Sequence, residues 1–464
     1  MASSDDTIVA LATPPGRGGI GVVRLSGPRA ISIATEVARF PKTPLETQRA
    51  TLGELIDPDT GRALDQVVTT CFRKPHSYTA EDVAEIACHG SPVILKFLIE
   101  LCLARGARMA EPGEFTERAF LNGRIDLTQA EAIRDLIESR TLYQARVAAQ
   151  QMQGSVSARV KPHKQVLLEF IARLEAGIDF AEDDVSVMGA EEISTRLGAI
   201  RADLERLTEN DQYGRIVREG LSLAIVGRPN VGKSSLFNRL LNAERAIVTA
   251  TPGTTRDLVA ESASVGGIPI RLVDTAGIRE AADEAERIGV ERSWQAIADS
   301  DLRVLVVDGS ALWSEEDAHL LHKILPLGAL VVALNKCDLP GRITREEVEA
   351  KVAAARPEAA VKVISTSALS GAGIENLRQG ILELASPTGI VAEGEFVTNL
   401  RQQQHLKESL AAIVKAQGAA AASTHHEMLL LDLYDALRAL DALTGATDVE
   451  DVLGIIFSTF CVGK

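Results

Sequence analysis

Apolar positions recur along the chain in distinct rhythms, and each rhythm predicts its own kind of element. Up to about residue 120 the apolar runs are short: "TIVALAT", "GIGVVRLSG", "ALDQVVTTCF" and "VAEIACHG" are separated by Gly and Pro and read as strands. Between them and the next segment, "SPVILKFLIELCLARG" reads as a helix, with Ser91 as its cap, Pro92 at its first position and Gly106 as its stop. That mixture predicts an α+β unit. From about 125 to 215 the period lengthens to that of long helices; in "QVLLEFIARLEAGIDF", Leu167, Ile171, Leu174 and Ile178 fall on one helical face.

From 221 to about 385 the pattern changes again. The strands "LSLAIVG", "IRLVDTAG", "DLRVLVVDGS", "ALVVALNK" and "VKVISTS" are apolar and alternate with helices. Such alternation predicts a parallel sheet covered by helices. After "ASPTGIVAEGE" the helices return, from "VTNLRQQQHLKESL" through "HHEMLLLDLYDALRALDALTG" to the chain's last residues. Each helical stretch is amphipathic and lacks a partner for its apolar face. One discontinuous helical domain, with the α/β unit inserted into it, solves both problems.

Composition narrows the class. A chain of 464 residues with 46% hydrophobic content has ample material for two to four cores. No apolar run reaches the roughly 18 residues that a membrane span needs. The first residues, "MASSDDTIVA", are acidic where a targeting peptide carries positive charge. Five scattered cysteines without a CxxC pair indicate neither a disulfide framework nor a zinc site, and fit a cytoplasmic protein. The net charge of −15 argues against a generally basic nucleic-acid binder, so a polyanionic partner must meet a local patch.

The chemistry is carried by four motifs on strand ends. "GRPNVGKS" follows the strand "LSLAIV" and precedes the helix "SLFNRLLN", the context of a phosphate loop. Its backbone N–H groups from Asn230 through Val231, Gly232, Lys233, Ser234 and Ser235 cradle phosphates. Lys233 reaches the β- and γ-phosphates, and the Ser234 hydroxyl ligates Mg²⁺. "DTAG", residues 274 to 277, ends the third strand: Asp274 holds the Mg²⁺ through water, Thr275 and Ala276 follow, and Gly277 approaches the γ-phosphate. "NKCD" places Asn335, Lys336 and Asp338 at the base, where the Asp338 carboxylate accepts both N–H groups of guanine's Watson–Crick edge. "TSAL" adds Ser367, Ala368 and Leu369 beside the guanine carbonyl. Four signals in this order predict a Ras-like GTPase domain.

Two details bear on mechanism. Ile278 follows "DTAG" where many small GTPases place the glutamine that orients the attacking water, and isoleucine cannot do so. The first switch is expected in "VTATPGTTRD", where Thr249, Ala250, Thr251, Pro252, Gly253, Thr254 and Thr255 line the nucleotide and Thr255 reaches Mg²⁺. Asn230 has two readings from the residues alone: an amide ligand for a monovalent cation that neutralises the transferring phosphate, or a turn residue. The terminal "FSTFCVGK" also has two: "DVLGIIFSTF" is a packed helix with a spare small hydrophobe at Cys461, or the thiol is delivered to a pocket.

The whole chain resembles the MnmE/TrmE family of tRNA-modifying GTPases. The resemblance runs from "TIVALATPPGRGGIGVVRLSG" through "CHGSPVI", "EPGEFTERAFLNGRIDLTQAEAI", "GRPNVGKSSLFN", "TPGTTRD" and "DTAGIRE" to "FCVGK". It implies a tetrahydrofolate-binding, dimerising α+β domain at 1–122, a helical domain in two parts at 123–217 and 386–464, and a potassium-activated G domain at 218–385. It also implies a homodimer working with an FAD-containing MnmG/GidA-type protein in a heterotetramer. Together they add a carboxymethylaminomethyl or aminomethyl group at C5 of the wobble uridine of certain tRNAs. The methylene carbon comes from a folate in its 5,10-methylene or 5-formyl form. Carried over by position, Asn230, Thr249, Thr251 and Thr254 are the K⁺ ligands, and Glu286 in "EAERIGVER" organises the attacking water. Arg24, Glu81, Arg124 and Lys464 are the folate-binding residues, with Cys461 beside the one-carbon unit. From composition alone these charges read as solvated surface. The rivals are a ribosome-assembly GTPase, which the acidic chain and its "FCVGK" ending oppose, and a folate-binding scaffold without chemistry.

Overall fold

A computed structural model describes residues 6–179, 190–241, 263–273, 291, 293–359, 361–385, 396–422, 426–446 and 463. The N-terminal unit runs β1 (Ile8–Leu11), β2 (Ile20–Ser26), α1 (Ala30–Val37), β3 (Ala38–Arg39), β4 (Thr51–Ile56), β5 (Ala63–Phe72), β6 (Val83–His89), α2 (Pro92–Ala104), β7 (Arg108–Met109) and α3 (Glu114–Leu121). Its seven strands lie in the order β3-β4-β5-β6-β2-β1-β7, and only β1 and β7 pair in parallel. Period-two alternation decides what each face carries. Val23 and Leu25 of β2 point to the face packed with Ile33 of α1 and Leu98 of α2. Arg24 and Ser26 therefore share the opposite face.

Helix α2 begins as the sequence predicts, with Ser91 as N-cap and Pro92 in the first turn, and Gly106 beyond it takes φ +91°. Strands β3, β4 and β7 and helices α1 and α3 are additions to the elements read from the sequence. The outer face of β4 and β5 is only half polar, with Leu52 and Val68 exposed as a cross-strand pair.

Then come α4 (Leu127–Glu138), α5 (Leu142–Met152), α6 (Ser155–Asp179), α7 (Ala190–Glu209) and α8 (Asp211–Glu219). Asp126 closes a capping box on α4 with Gln129, which fixes where that helix starts. The long helices α6 and α7 bury Leu167, Phe170, Leu174, Leu197 and Leu204 against the helices Leu400–Ala421 and His426–Thr444, through Ile413, Leu433 and Leu440. Two amphipathic stretches far apart in sequence thus share one core. Where the intervening unit departs and returns, Tyr213 and Phe396 meet edge to face with ring centroids 5.0 Å apart.

The inserted unit contains β8 (Leu221–Val226), α9 (Lys233–Leu241), β9 (Ala263–Val265), β10 (Ile268–Val273), β11 (Leu302–Asp308), β12 (Leu330–Asn335) and β13 (Val361–Ser365). Its sheet order is β13-β12-β11-β8-β10-β9. The five strands expected to be parallel are so, but β9 is an antiparallel edge strand turned back on β10 through Gly266 and Gly267. The nucleotide motifs sit at the carboxyl ends of β8, β12 and β13, where α/β sheets bind ligands. Among the described residues no helix is long and apolar enough to cross a membrane.

Candidate functional site

The phosphate loop is a cradle whose shape depends on two backbone positions. Gly232 takes φ +98°, and a Cβ there would lie 2.4 Å from Asn335 Nδ2, so only glycine fits. Asn230 stands at the exposed apex with φ +62°, a left-handed conformation that asparagine tolerates. Lys233, at the start of α9, folds its ammonium back over the loop and donates to the carbonyls of Gly227 at 2.6 Å and Arg228 at 2.8 Å. Ser234 and Ser235 are exposed in the first turn of α9, with the positive end of the helix beneath them. Arg228 anchors the other side of the loop by a 2.7 Å ion pair to the fully buried Asp317 of the helix Glu315–Ile324.

The base side is assembled around Asn335, the last residue of β12. Its buried amide donates to the Val231 carbonyl at 2.8 Å, and its Oδ1 accepts from the Ala368 N–H at 3.1 Å. One side chain thus ties the phosphate loop to the "TSAL" loop. The N–H of Ala368 is given to Asn335 here, and Ser367 is buried with its Oγ accepting from the Ser370 N–H at 3.0 Å. Leu369 is 81% exposed, and its carbonyl accepts from Arg239 at 2.6 Å.

Lys336 takes φ +65° and pairs with Asp308, at the end of β11, at 2.6 Å. Burial acts to raise the Asp308 carboxyl, but hydrogen bonds from Lys336 and Ser310 outweigh it and hold it below the ordinary range. Asp338 is exposed.

A second cluster forms in the N-terminal unit around Tyr78. Arg24 lies across the sheet from Glu85, its Nε 2.9 Å from the carboxylate, and its guanidinium carbon stands 5.3 Å from the Tyr78 ring centre. Arg124 approaches the same ring, 5.4 Å from its centre, and donates to the Tyr78 carbonyl. Glu81 follows Ala80, which takes φ +60°, and its Oε2 accepts from Ser26 Oγ at 2.7 Å and from Arg118 at 3.2 Å. Arg118 is the hub of a buried network with Asp6 at 2.6 Å and Glu114 at 2.9 Å.

Gly463 is buried beside β1, and its carbonyl lies 3.5 Å from Arg24 Nη1. Gly463 therefore sits beside Arg24. Of the expected folate residues, Arg24 and Arg124 meet at the Tyr78 ring, while Glu81 is held by Ser26 and Arg118. Lys464 and Cys461 lie outside the described residues, as do Glu286, Asp274 to Gly277 and the switch residues Thr249 to Thr255.

The sequence reading missed Tyr78, Ser26, Arg118, Arg228 and Asp317 as site residues. Alternation along β2 places Ser26 with Arg24, so that contact had a signal. The Arg228–Asp317 pair spans 89 positions and had none.

The comparisons with known proteins meet this geometry. Residues 7–124 match the family described as GTP-binding protein TrmE N-terminus, and residues 127–461 match the MnmE helical domain. The tRNA modification GTPase MnmE of Koribacter versatilis is 57% identical over 462 residues, covering 99% of each chain. The chain belongs to the MnmE/TrmE family. The MnmE proteins of Bacillus subtilis and Aquifex aeolicus are each 42% identical over 466 residues, covering 99% of this chain and 100% of their own. In this MnmE/TrmE chain the nucleotide motifs belong to a GTPase domain inserted between the helical segments, and the Arg24–Tyr78–Arg124 cluster belongs to the TrmE N-terminal region.

Proposed function

We propose that the chain is a potassium-activated GTP hydrolase that acts in the cytoplasm on the wobble uridine of certain tRNAs, as a homodimer and with an FAD-containing MnmG/GidA-type partner. The reaction adds a carboxymethylaminomethyl or aminomethyl group at C5 with a one-carbon unit from a tetrahydrofolate. The observation that carries this reading is the pairing of two sites in one chain. A phosphate loop is locked to a guanine-reading loop through Asn335, and Arg24, in a second cluster with Arg124 at Tyr78, meets the carbonyl of Gly463.

In the nucleotide site Lys233 exchanges its two loop carbonyls for the β- and γ-phosphate oxygens. Asp338 selects guanine, because adenine leaves its carboxylate facing an unmatched edge. The residues fit the two cations. Ser234 offers an exposed hydroxyl on the helix N-terminus, with Thr255 as its switch partner. Asn230 presents its amide from a loop apex whose left-handed backbone no β-branched residue favours, with Thr249, Thr251 and Thr254 completing the set. When bound, Mg²⁺ and K⁺ supply positive charge to the transferring phosphate, in place of an arginine finger. Glu286 orients the attacking water, a role that Ile278 leaves vacant.

In the N-terminal site the Glu81 carboxylate accepts from the N–H edge of the pterin. Arg24, Arg124 and Lys464 meet the anionic tail, as charge-assisted pairs do. Cys461 lies beside the one-carbon unit.

Steady-state GTP hydrolysis in KCl and in NaCl tests the first half of this proposal. Turnover should be much faster in KCl, and Asn230→Ala should erase the difference. Equal rates for the wild-type chain in both salts would refute potassium activation.

A further inference from the structure

We propose that Arg146 on α5 with Arg159 and Lys161 on α6, joined by Arg140 just before α5, form the surface on which the tRNA sugar–phosphate backbone docks. This rests on the tRNA reading given above and names where on the chain the RNA is held.

The first observation is a gap in the acidic residues. From Ser139 to Leu168 the sequence contains no Asp or Glu, although the whole chain carries a net charge of −15. The same stretch holds Arg140, Arg146, Arg159, Lys161 and Lys164. A local cationic field on an otherwise acidic molecule guides a polyanion to one place and repels it elsewhere.

The second observation is how these cations are left in the fold. Lys164 is engaged by Asp441 at 2.5 Å. Arg140, Arg146, Arg159 and Lys161 are exposed, and none of them has a carboxylate within 4.0 Å among the described residues. Surface arginines elsewhere in the helical region are paired, as Arg196 is with Glu192, Arg201 with Glu205 and Arg438 with Asp435.

Placement is the third. Helices α5 and α6 are separated only by Gln153 and Gly154, which turns with φ +87°. At about 1.5 Å of rise per residue, Arg146 stands about 9 Å before the end of α5 and Lys161 about 9 Å into α6. The cations thus lie on both sides of one corner, with Arg159 and Lys161 on different sides of the start of α6. Arg159 also opens onto a cleft of about 340 Å³ between α6 and α7 that holds Arg206 and Glu209 as well, and where Asp203 pairs with Arg206 and His163.

An RNA backbone fits this surface better than a protein does. From Tyr143 to Leu167 no large apolar side chain is exposed, and the exposed Leu142 and Leu168 stand singly at the two ends of the stretch, whereas protein interfaces are anchored by clustered aromatic and aliphatic groups. Phosphate binding needs only the cations and the Ser and Gln side chains around them.

The test compares two triple variants of the full-length chain, in equilibrium binding of a labelled tRNA transcript across a salt series. One is Arg146→Gln, Arg159→Gln, Lys161→Gln; the other removes equal charge from paired positions, as Arg201→Gln, Arg345→Gln, Arg438→Gln. Basal GTP hydrolysis should stay at the wild-type rate in both, which reports intact folding. The first variant should bind on the order of tenfold or more weakly at low salt. Its slope of log affinity against log salt should be shallower by about 2 to 3, since each lost phosphate contact removes about 0.7 to 0.9. The second should keep the wild-type slope.

Identical behaviour of the two variants would overturn the assignment. So would loss of wobble-uridine modification by the first variant with its tRNA affinity and salt slope intact, which would give the surface to a protein partner. A wild-type chain with no salt-dependent tRNA binding would overturn both this surface and the direct tRNA contact on which it rests.

Discussion

Asn335 reaches from the end of β12 to the Val231 carbonyl at 2.8 Å, so the residue that opens the guanine motif also fixes the phosphate loop. The same side chain holds the Ala368 N–H at 3.1 Å. One side chain thus ties the two loops together.

Asn335→Ala should expose that dependence. It leaves a buried carbonyl and an N–H without partners, at roughly 1–3 kcal/mol each. GDP and GTP affinities should both fall, by on the order of a hundredfold in fluorescent-nucleotide titrations. Unchanged affinity would mean that the two loops hold their shapes independently.

The strands of the G domain were legible because parallel strands buried on both faces are continuous apolar runs, as "LRVLVVD" of β11 shows. Strand β9 was not, because "ASV" is too short to display a period and is held in place by its partner β10. The phosphate loop was readable for a local reason: backbone geometry imposes glycine at 232, and the ammonium of the adjacent Lys233 caps the loop's own carbonyls. Tyr78 and Arg118 gave no such signal. Their meaning comes from what folding brings to them, Arg24 and Arg124 in one case and Asp6, Glu81 and Glu114 in the other.

Gly463→Ala tests whether the chain's end must sit on the N-terminal unit. Gly463 takes φ +99°, and a Cβ there would stand 2.2 Å from the Leu11 carbonyl oxygen, a backbone atom that cannot swing aside. Binding of 5-formyltetrahydrofolate should weaken by tenfold or more, while GTP hydrolysis proceeds as in the wild type. Equal loss of both activities would point to general misfolding.

Acid should loosen the Arg118 network in a definite direction. Burial acts to raise the Glu114 carboxyl, yet hydrogen bonds from Arg108, the Glu111 N–H and Arg118 outweigh it and hold it below its ordinary 4.5. A carboxyl lowered in the folded state contributes stability that is fully present above about 4.5 and is lost as pH falls through the folded value. Glu114→Gln should lower the unfolding temperature at pH 7 and flatten its decline below pH 4.5. A variant that kept the wild-type acid decline would remove Glu114 from its cause.

Thiol reactivity should mark the guanine site. Burial pushes the thiols of Cys71 and Cys88 up to about 11 and that of Cys102 to about 12, whereas Cys337 is exposed within the "NKCD" motif. In a Cys461→Ser background at pH 8, an alkylating reagent should label Cys337 first, and GDP should slow it. Mass spectrometry of the labelled peptides reads the outcome; labelling indifferent to GDP would separate Cys337 from the bound base.

The central claim is that this GTPase exists to modify tRNA. Nucleoside analysis by mass spectrometry of tRNA from a strain lacking the gene tests it most directly. The account predicts loss of the C5 substituent from wobble uridine, restored by the wild-type chain and not by Cys461→Ser. Wobble uridines still fully modified in the deletion strain would contradict it.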